Sequence, residues 1–404
     1  MTQPTRRRAL WIGIVGSLAL TALGVLRAWP PKSVLNRAGD PVFHYWPWSY
    51  AHYAYSDIVG VYANHGLAHH LIPYLQHRFE YPPVMAFLIW LTSFGPGLAG
   101  YLWLNIVLLA AALTGTIVIL RRVRGDRDLL LWALCPILAL FVIYNWDVIG
   151  ILTYALGVLA YVRGRPVLSG LYVGIGISTK LFPVVLLPYL AAELWRRGER
   201  RHAASLLVAA MGSFLILNVP PALKDFNGWS WFWRYNAIRL PDPGFWQWVY
   251  ANHWLSVAGI DKVTLGLTVV GGVVLLRAVW RGSLEALPAA GYALVWWLLV
   301  NKTHSPQYVI WAIYALVVAG ALNRPGYWLM TVSGALQFGL AMTWLTVANQ
   351  HSPWLPVFSN VIAPVLAAFQ AFAYLAALKD VPGALRAPPA PGIESDLAAR
   401  LHGS

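Results

Sequence analysis

The sequence predicts an all-α polytopic membrane protein, and three observations carry that prediction. Hydrophobic residues make up 59% of the 404 residues and charged residues only 11%, where an ordinary globular domain carries roughly 25% charged residues. Too little polar surface remains to coat soluble domains. Apolar runs recur along the chain, and between them stand short bursts of arginine: Arg6-Arg7-Arg8, Arg121/Arg122/Arg124/Arg127, Arg163/Arg165, Arg196/Arg197/Arg200/Arg201 and Arg277/Arg281. Short basic loops beside transmembrane ends mark the cytoplasmic face. The formal charge of +14 is therefore read as topology, and no nucleic-acid partner is expected. The single cysteine, Cys135, lies inside an apolar run, which excludes a disulfide framework and a cysteine-built metal centre.

Taken in order, segment 10–28 follows Arg6–Arg8, so the first helix exits to the outside. No small-residue cleavage site follows it, and Trp29-Pro30-Pro31 reads as an interfacial stop. Further candidate spans lie at 84–95, 98–120, 129–145, 148–162, 167–179, 181–195, 203–219, 254–279, 284–300, 308–322, 327–348 and 354–378. A span needs roughly 20 apolar residues and several of these are shorter, so the expectation is a bundle of about 11–13 transmembrane helices. Segments 167–179 and 181–195 lie between two arginine bursts. They read as a hairpin of short helices whose turn, at Thr179-Lys180, faces inward from the outer side; such breaks are tolerated only where they line a protein cavity. With Tyr81-Pro82-Pro83 outside and Arg121–Arg127 inside, 84–95 and 98–120 together must cross once. Either 84–95 is re-entrant or the arginine rule fails there.

Two large loops, 29–83 and 220–253, fall outside and are rich in Trp, Tyr, His and Pro, as in Phe43-His44-Tyr45-Trp46-Pro47-Trp48 and Trp229-Ser230-Trp231-Phe232-Trp233. Such aromatics suit a membrane interface, and they equally suit a surface that stacks on sugars. Residues 1–379 read as one transmembrane domain and 380–404, Pro/Ala-rich from Ala387, as a disordered cytoplasmic tail. No internal repeat is evident.

The fifteen carboxylates can be sorted by side. Asp126, Asp128, Glu193, Glu199, Glu285, Asp380, Glu394 and Asp396 fall among the cytoplasmic arginines. Asp126-Arg127-Asp128 has the Asp-x-Asp form that can hold a metal, but in an arginine-rich loop it reads as a solvated charge cluster. Asp40, Asp57, Glu80, Asp147, Asp225, Asp242 and Asp261 remain outside. Charges at membrane depth are costly and point to function. Lys180, in Ser178-Thr179-Lys180-Leu181-Phe182-Pro183, is the sharpest case: it is either a snorkelling side chain or a cation aimed at a lipid phosphate. Asn301-Lys302-Thr303-His304-Ser305-Pro306-Gln307-Tyr308 forms a similar polar knot. His65 and His69, four apart, have a spacing compatible with one metal-binding helix face, yet no nearby Glu completes a zinc motif. They read as interfacial histidines, and no metal or cofactor is expected.

Tyr55-Ser56-Asp57-Ile58-Val59-Gly60-Val61-Tyr62, then Pro73-Tyr74 and Glu80-Tyr81-Pro82-Pro83, resembles the first-loop signature of GT-C-fold glycosyltransferases. It is most similar to the polyprenol-phosphate-mannose-dependent branch that includes the phosphatidylinositol-mannoside mannosyltransferases. The Lys180 segment with Leu187-Pro188-Tyr189 is similar to that branch's mid-chain block, and Asn301-Lys302 through Gln307-Tyr308 to its Asn-Lys-x-x-Ser-Pro-Gln-Tyr motif. The resemblance implies a GT-C-like bundle with a long first extracytoplasmic loop. It further implies transfer of a hexose, mannose foremost, from a polyprenyl-phosphate donor to a lipid or glycan acceptor at the outer face of the cell membrane, with inversion. Asp57 matches the family's catalytic base. Three residues separate it from Val61-Tyr62 where the family commonly has two, so Asp40 stands as the alternative.

The chemistry asks for little else. A lipid-phosphate-linked sugar already carries a good leaving group, so one base for the acceptor hydroxyl and cations for the departing phosphate suffice. Asp57 and His304 are the candidate catalytic residues, and Asp40, Glu80, Tyr81, Lys180, Lys302 and Gln307 the candidate substrate-binding ones. A lipid or sugar transporter or flippase is the competing class; it would predict two similar halves and ionisable residues at the midplane.

Overall fold

The computed structural model describes residues 3–37, 39–42 and 44–378, so the 380–404 tail lies outside the described residues. Among them the chain is all-helical apart from isolated bridges. Six helices among the described residues are long and apolar enough to cross a membrane: Arg7–Ala28, Gly97–Val123, Arg200–Lys224, Val257–Trp280, Arg324–Asn349 and Leu355–Ala377. Five shorter apolar helices accompany them: Pro83–Thr92, Asp147–Val162, Pro166–Ile177, Ala286–Val300 and Pro306–Ala319. Their starts are locally encoded. Proline stands at the first turn of Pro83–Thr92 and Pro166–Ile177, where its missing N–H costs nothing. Ser256 and Asn323 cap their helices by accepting from Gly259 N and Gly326 N at 3.1 and 2.7 Å.

Helix length settles the crossing of 82–120. Pro83–Thr92 has 10 residues, which at 1.5 Å per residue is about half the hydrocarbon thickness. Gly97–Val123, with 27 residues, is long enough to cross alone. One expected span is not a single helix. Segment 129–145 breaks at Cys135-Pro136 into Asp126–Ala133 and Leu138–Phe141, because Pro136 cannot donate the backbone hydrogen bond that would carry the helix onward. The expected 354–378 span is interrupted by a π-helical turn at Phe358–Ile362.

Long and short helices occupy different places for a physical reason. Arg200–Lys224 and Val257–Trp280 keep apolar side chains such as Val208, Ile216, Leu265 and Val270 exposed, as lipid-facing helices do. Val309–Ala319 and Ala286–Val300 are apolar all round and almost wholly buried, the mark of central helices. The central helices stop short, and non-helical stretches at 142–146, 178–181 and 301–305 take over. Backbone of this kind at membrane depth is viable only inside protein. Here two of the stretches meet, Lys180 Nζ donating to Asn145 Oδ1 at 3.1 Å, while neighbouring helices hold the ends of the breaks. Val84 N donates to Ser178 O at 2.8 Å, and Trp311 Nε1 donates to Asp147 Oδ1 at 3.1 Å.

The hairpin expected at 167–195 is present as Pro166–Ile177 and Leu186–Arg196 around the Lys180 turn. Its first helix lies hard against Arg200–Lys224 through Gly170 and Gly174. A Cβ at Gly174 would come within 2.0 Å of Ser213 Oγ and 2.3 Å of Ala210 O, the small-residue packing through which membrane helices approach closely. Gly174→Val is therefore expected to destabilise the protein by about 1–3 kcal/mol, as overpacking does. Gly212→Val, at a position with nothing within 4 Å, should change little. Thermal unfolding of both variants in detergent checks this, and equal losses would refute the packing account.

Candidate active site

Two of these stretches and the first loop bring a carboxylate, an amide and a cation into one hydrogen-bonded chain. Asp57 starts the helix Asp57–Asn64. Its backbone N–H donates to Tyr144 O at 2.8 Å, while Ser56 Oγ donates to Ile143 O at 2.5 Å. Both contacts dock the first loop on the 142–146 turn. The Asp57 carboxylate accepts from Tyr55 OH at 2.5 Å on Oδ1 and from Asn145 Nδ2 at 2.7 Å on Oδ2. Asn145 Oδ1 accepts from Lys180 Nζ at 3.1 Å and from Trp146 N at 2.6 Å. Lys180 Nζ also lies 3.2 Å from Asp147 Oδ1 and 5.0 Å from the centre of the Tyr81 ring. A cation over an aromatic face is further stabilised. Tyr81 OH in turn accepts from Asn145 Nδ2 at 3.3 Å.

Burial sets the electrostatics. Asp147 is fully buried and Lys180 nearly so, with 11% of its side chain exposed, so each requires the other. Asp57 keeps partial access to solvent. Its desolvation pushes its pKa up to about 6; the Tyr55 hydrogen bond and the Lys180 charge pull the other way, and Glu80 and Asp147 add to the rise. Three other acids are paired with cations: Asp147 with Lys180, Asp242 with Arg239 at 2.7 Å, and Asp261 with Lys302 at 2.8 Å. Asp57 instead is held by neutral donors.

A second polar group borders the first. Arg239 donates to Ser305 Oγ at 3.3 Å, and Ser305 Oγ donates to Asp242 Oδ2 at 3.2 Å. Tyr144 and Tyr235 lie within electrostatic range of Asp57, Asp242 and Arg239 alike, so both groups flank the same phenols. Beside Tyr81 lies a narrow apolar cleft, lined by Tyr74, Tyr81, Ile177, Leu181, Phe214 and Trp229 among others. Ile177 and Leu181 bracket the Lys180 turn in sequence, so this cleft lies on the flanks of that turn.

Not every residue expected from sequence joins the cluster. Gln307 does, lying against the Asp147 carboxylate. Glu80 sits at its edge, 3.6 Å from His65 Nε2. Lys302, expected as a free cation, is buried; besides its ion pair it donates to Ala237 O at 3.1 Å and so pins the 220–262 segment. His304 does not join the hydrogen-bond chain of Asp57. Its Nδ1 meets Leu298 O and its Nε2 meets the Gln370 amide, both at 2.7 Å, and burial lowers its pKa, so it is a neutral structural imidazole. Asp40 is tied into a loop with Asn36, which bonds its backbone N–H, and it takes no part in the hydrogen bonds around Asp57. His65 faces His77 and Glu80, whereas His69 is exposed; no group of three or more His, Cys, Asp or Glu that could hold a metal occurs among the described residues. Asp126 and Asp128 are paired with Arg121 and Arg124. Asn145, Tyr55 and Arg239 were missed by sequence reasoning. The signal for the first was the triplet Asn145-Trp146-Asp147, a polar break between two apolar runs.

The buried pair yields a direct test. Lys180→Met strands the Asp147 carboxylate and is expected to cost about 3–5 kcal/mol, while Lys180→Met/Asp147→Leu should recover most of that loss. Thermal unfolding in detergent reads both; a double variant no better than Lys180→Met would show that the pair is not the coupled unit.

No curated protein matches the chain. Among solved structures it is similar to ArnT from Cupriavidus metallidurans bound to undecaprenyl phosphate, with 13% identity, 90% of this chain and 75% of that chain covered, and a TM-score of 0.45. It is also similar to the Archaeoglobus fulgidus oligosaccharyltransferase in complex with zinc and sulfate, with 14% identity, 90% and 53% covered, and a TM-score of 0.33. The profile of glycosyltransferase family 87 matches residues 79–319, which takes in Glu80, Asn145, Lys180, Arg239 and the Asn301–Tyr308 segment and begins after Asp57. That match covers more than half of the chain, which therefore belongs to glycosyltransferase family 87.

Proposed function

We propose that this membrane glycosyltransferase moves a hexose, mannose foremost, from a polyprenyl-phosphate donor to a lipid or glycan acceptor, with Asp57 as general base. The observation that carries the reading is the chain Asp57–Asn145–Lys180, which sets an ionisable, partly accessible carboxylate two hydrogen bonds from a buried ammonium. The acceptor hydroxyl oxygen attacks the sugar's anomeric carbon on the face opposite the phosphate. The bond from that carbon to the phosphate oxygen breaks, its electron pair leaves with the lipid phosphate, and Asp57 takes the hydroxyl proton. The products are an inverted glycoside and polyprenyl phosphate, and Lys180 stabilises the phosphate charge. The apolar lining of the cleft at Ile177, Leu181 and Tyr81 supports this reading, since it suits a prenyl chain whose phosphate reaches Lys180.

The helices that carry the site support an assignment of its side of the membrane. Asp147–Val162 begins at the site and ends at Arg163, and Leu186–Arg196 begins beyond the Lys180 turn and ends at Arg196-Arg197. Site and arginine bursts occupy opposite ends of the same helices, which supports an extracytoplasmic site under the positive-inside rule. Cysteine placed at exposed Asn64 should react with an impermeant maleimide in intact cells, with no background from buried Cys135. Reaction only after permeabilisation would reverse the assignment.

Asp57→Asn keeps the shape of the side chain and removes the base. A folded protein that binds donor and turns over roughly 10²-fold or more slower is expected. Because the base works ionised and its pKa lies near 6, kcat/KM of the native protein should fall about tenfold per pH unit below that value. An active Asp57→Asn beside an inactive Asp40→Asn would move the base to Asp40.

A further inference from the structure

Asn145 uses both ends of its amide, and its orientation is fixed by chemistry. Trp146 N–H can only donate, so the atom 2.6 Å from it is the carbonyl oxygen. The opposite end is then the NH₂ group, 2.7 Å from Asp57 Oδ2. The oxygen also accepts from Lys180 Nζ at 3.1 Å. In this orientation the amide suits an ionised Asp57 and a protonated Lys180 together. Asn145 is 4% exposed, so neither end can exchange its partner for bulk water.

We infer that Asn145 is a positioning residue of the transfer reaction: it holds the Asp57 carboxylate in its ionised form and aims it, while tying it to the cation that receives the donor phosphate. The inference rests on the reading of Asp57 as base. The amide offsets part of the desolvation that disfavours the charged carboxylate. Besides Lys180, the charged groups around Asp57 are Glu80 and Asp147, both of which oppose its ionisation. The phenols of Tyr45, Tyr50, Tyr55, Tyr81, Tyr144 and Tyr235 are all shifted upward by burial and stay neutral across the working range. Asn145 is thus a neutral donor acting on a base that its other charged neighbours, Lys180 excepted, push toward protonation.

The test is the pH dependence of kcat/KM in purified full-length protein with a synthetic polyprenyl-phosphate mannose, for native, Asn145→Asp and Asn145→Ala forms. Asn145→Asp is isosteric; it keeps an acceptor for Lys180 and replaces the donor to Asp57 with a negative charge. Its acid limb should move up by about one pH unit or more, and that of Asn145→Ala by a smaller amount in the same direction. In both, the loss of kcat should shrink as pH rises past the displaced limb, while donor KM changes less than kcat. A merely structural role would lower activity equally at every pH. An unmoved limb in Asn145→Asp, with native-like thermal unfolding and donor binding, overturns the inference. If Asn145→Ala does not fold, the isosteric variant alone decides. Asp57→Asn separates the two readings: inactive Asp57→Asn with an unmoved limb sinks only the role of Asn145, whereas active Asp57→Asn sinks the base itself.

Discussion

The buried contact between Lys180 and Asp147 is the constraint on which the rest of the site depends. An ammonium at membrane depth is tolerated only when paired, and the 3.2 Å contact supplies the partner. Satisfying it fixes two chain breaks against each other: the turn between Pro166–Ile177 and Leu186–Arg196, and the start of Asp147–Val162. Even the glycine at 150 follows from it, since a Cβ there would lie 2.9 Å from Lys180 Cβ and from Phe182. Asn145 then stands next to the cation by covalent necessity, two residues before Asp147. Asp57 reaches the amide because the first loop docks on the same 142–146 backbone.

The architecture around this contact solves a problem of length. A polar site below the membrane surface needs central helices that end early, and such helices cannot face lipid at their truncated ends. The chain answers with apolar, buried helices of 11 to 16 residues in the middle and helices of 24 to 27 residues around them. Exposed apolar side chains on the outer helices replace the amphipathic pattern of a soluble bundle. The aromatic loops close the end of the bundle that holds the site. Trp46, Tyr50, Tyr55 and Tyr144 lie within 4.9 to 6.2 Å of their ring neighbours, so much of that aromatic content forms the wall behind Asp57.

Sequence reasoning reached the fold and part of the site, and the division has a physical cause. Composition and arginine placement declare membrane helices directly, and the hairpin at Lys180 was legible because a lone cation between apolar runs has few uses. Asp57 emerged from the family-like motif around it. Lys302 and His304 looked equivalent to Lys180 in sequence, yet their partners, Asp261 and Gln370, lie 41 and 66 residues away. Whether a buried polar group is satisfied depends on such distant partners, which spacing within one segment does not reveal. The helix break at Pro136 was masked by an unbroken apolar run. Asn145 escaped for the opposite reason: an uncharged amide carries no cost that would mark it out, although it holds the centre of the cluster.

The position of Asp57 between burial and hydrogen bonding bears on why an aspartate can serve an alcohol at all. An acceptor hydroxyl is far less acidic than any carboxylic acid, so a carboxylate takes its proton only as the bond to the anomeric carbon forms. A base is more effective as its pKa rises, until it is no longer ionised at working pH. Burial moves Asp57 upward from 3.8 to about 6, which gains basicity while leaving most of it ionised near neutrality. Desolvation alone would carry it further, and full protonation would end its use as a base. Tyr55 and Lys180 set the upper limit, and the Asn145 amide acts in the same sense through its hydrogen bond. In the proposed reaction the cation that would receive the lipid phosphate is also the one that favours an ionised Asp57, so fold, electrostatics and proposed chemistry meet in one short chain of hydrogen bonds.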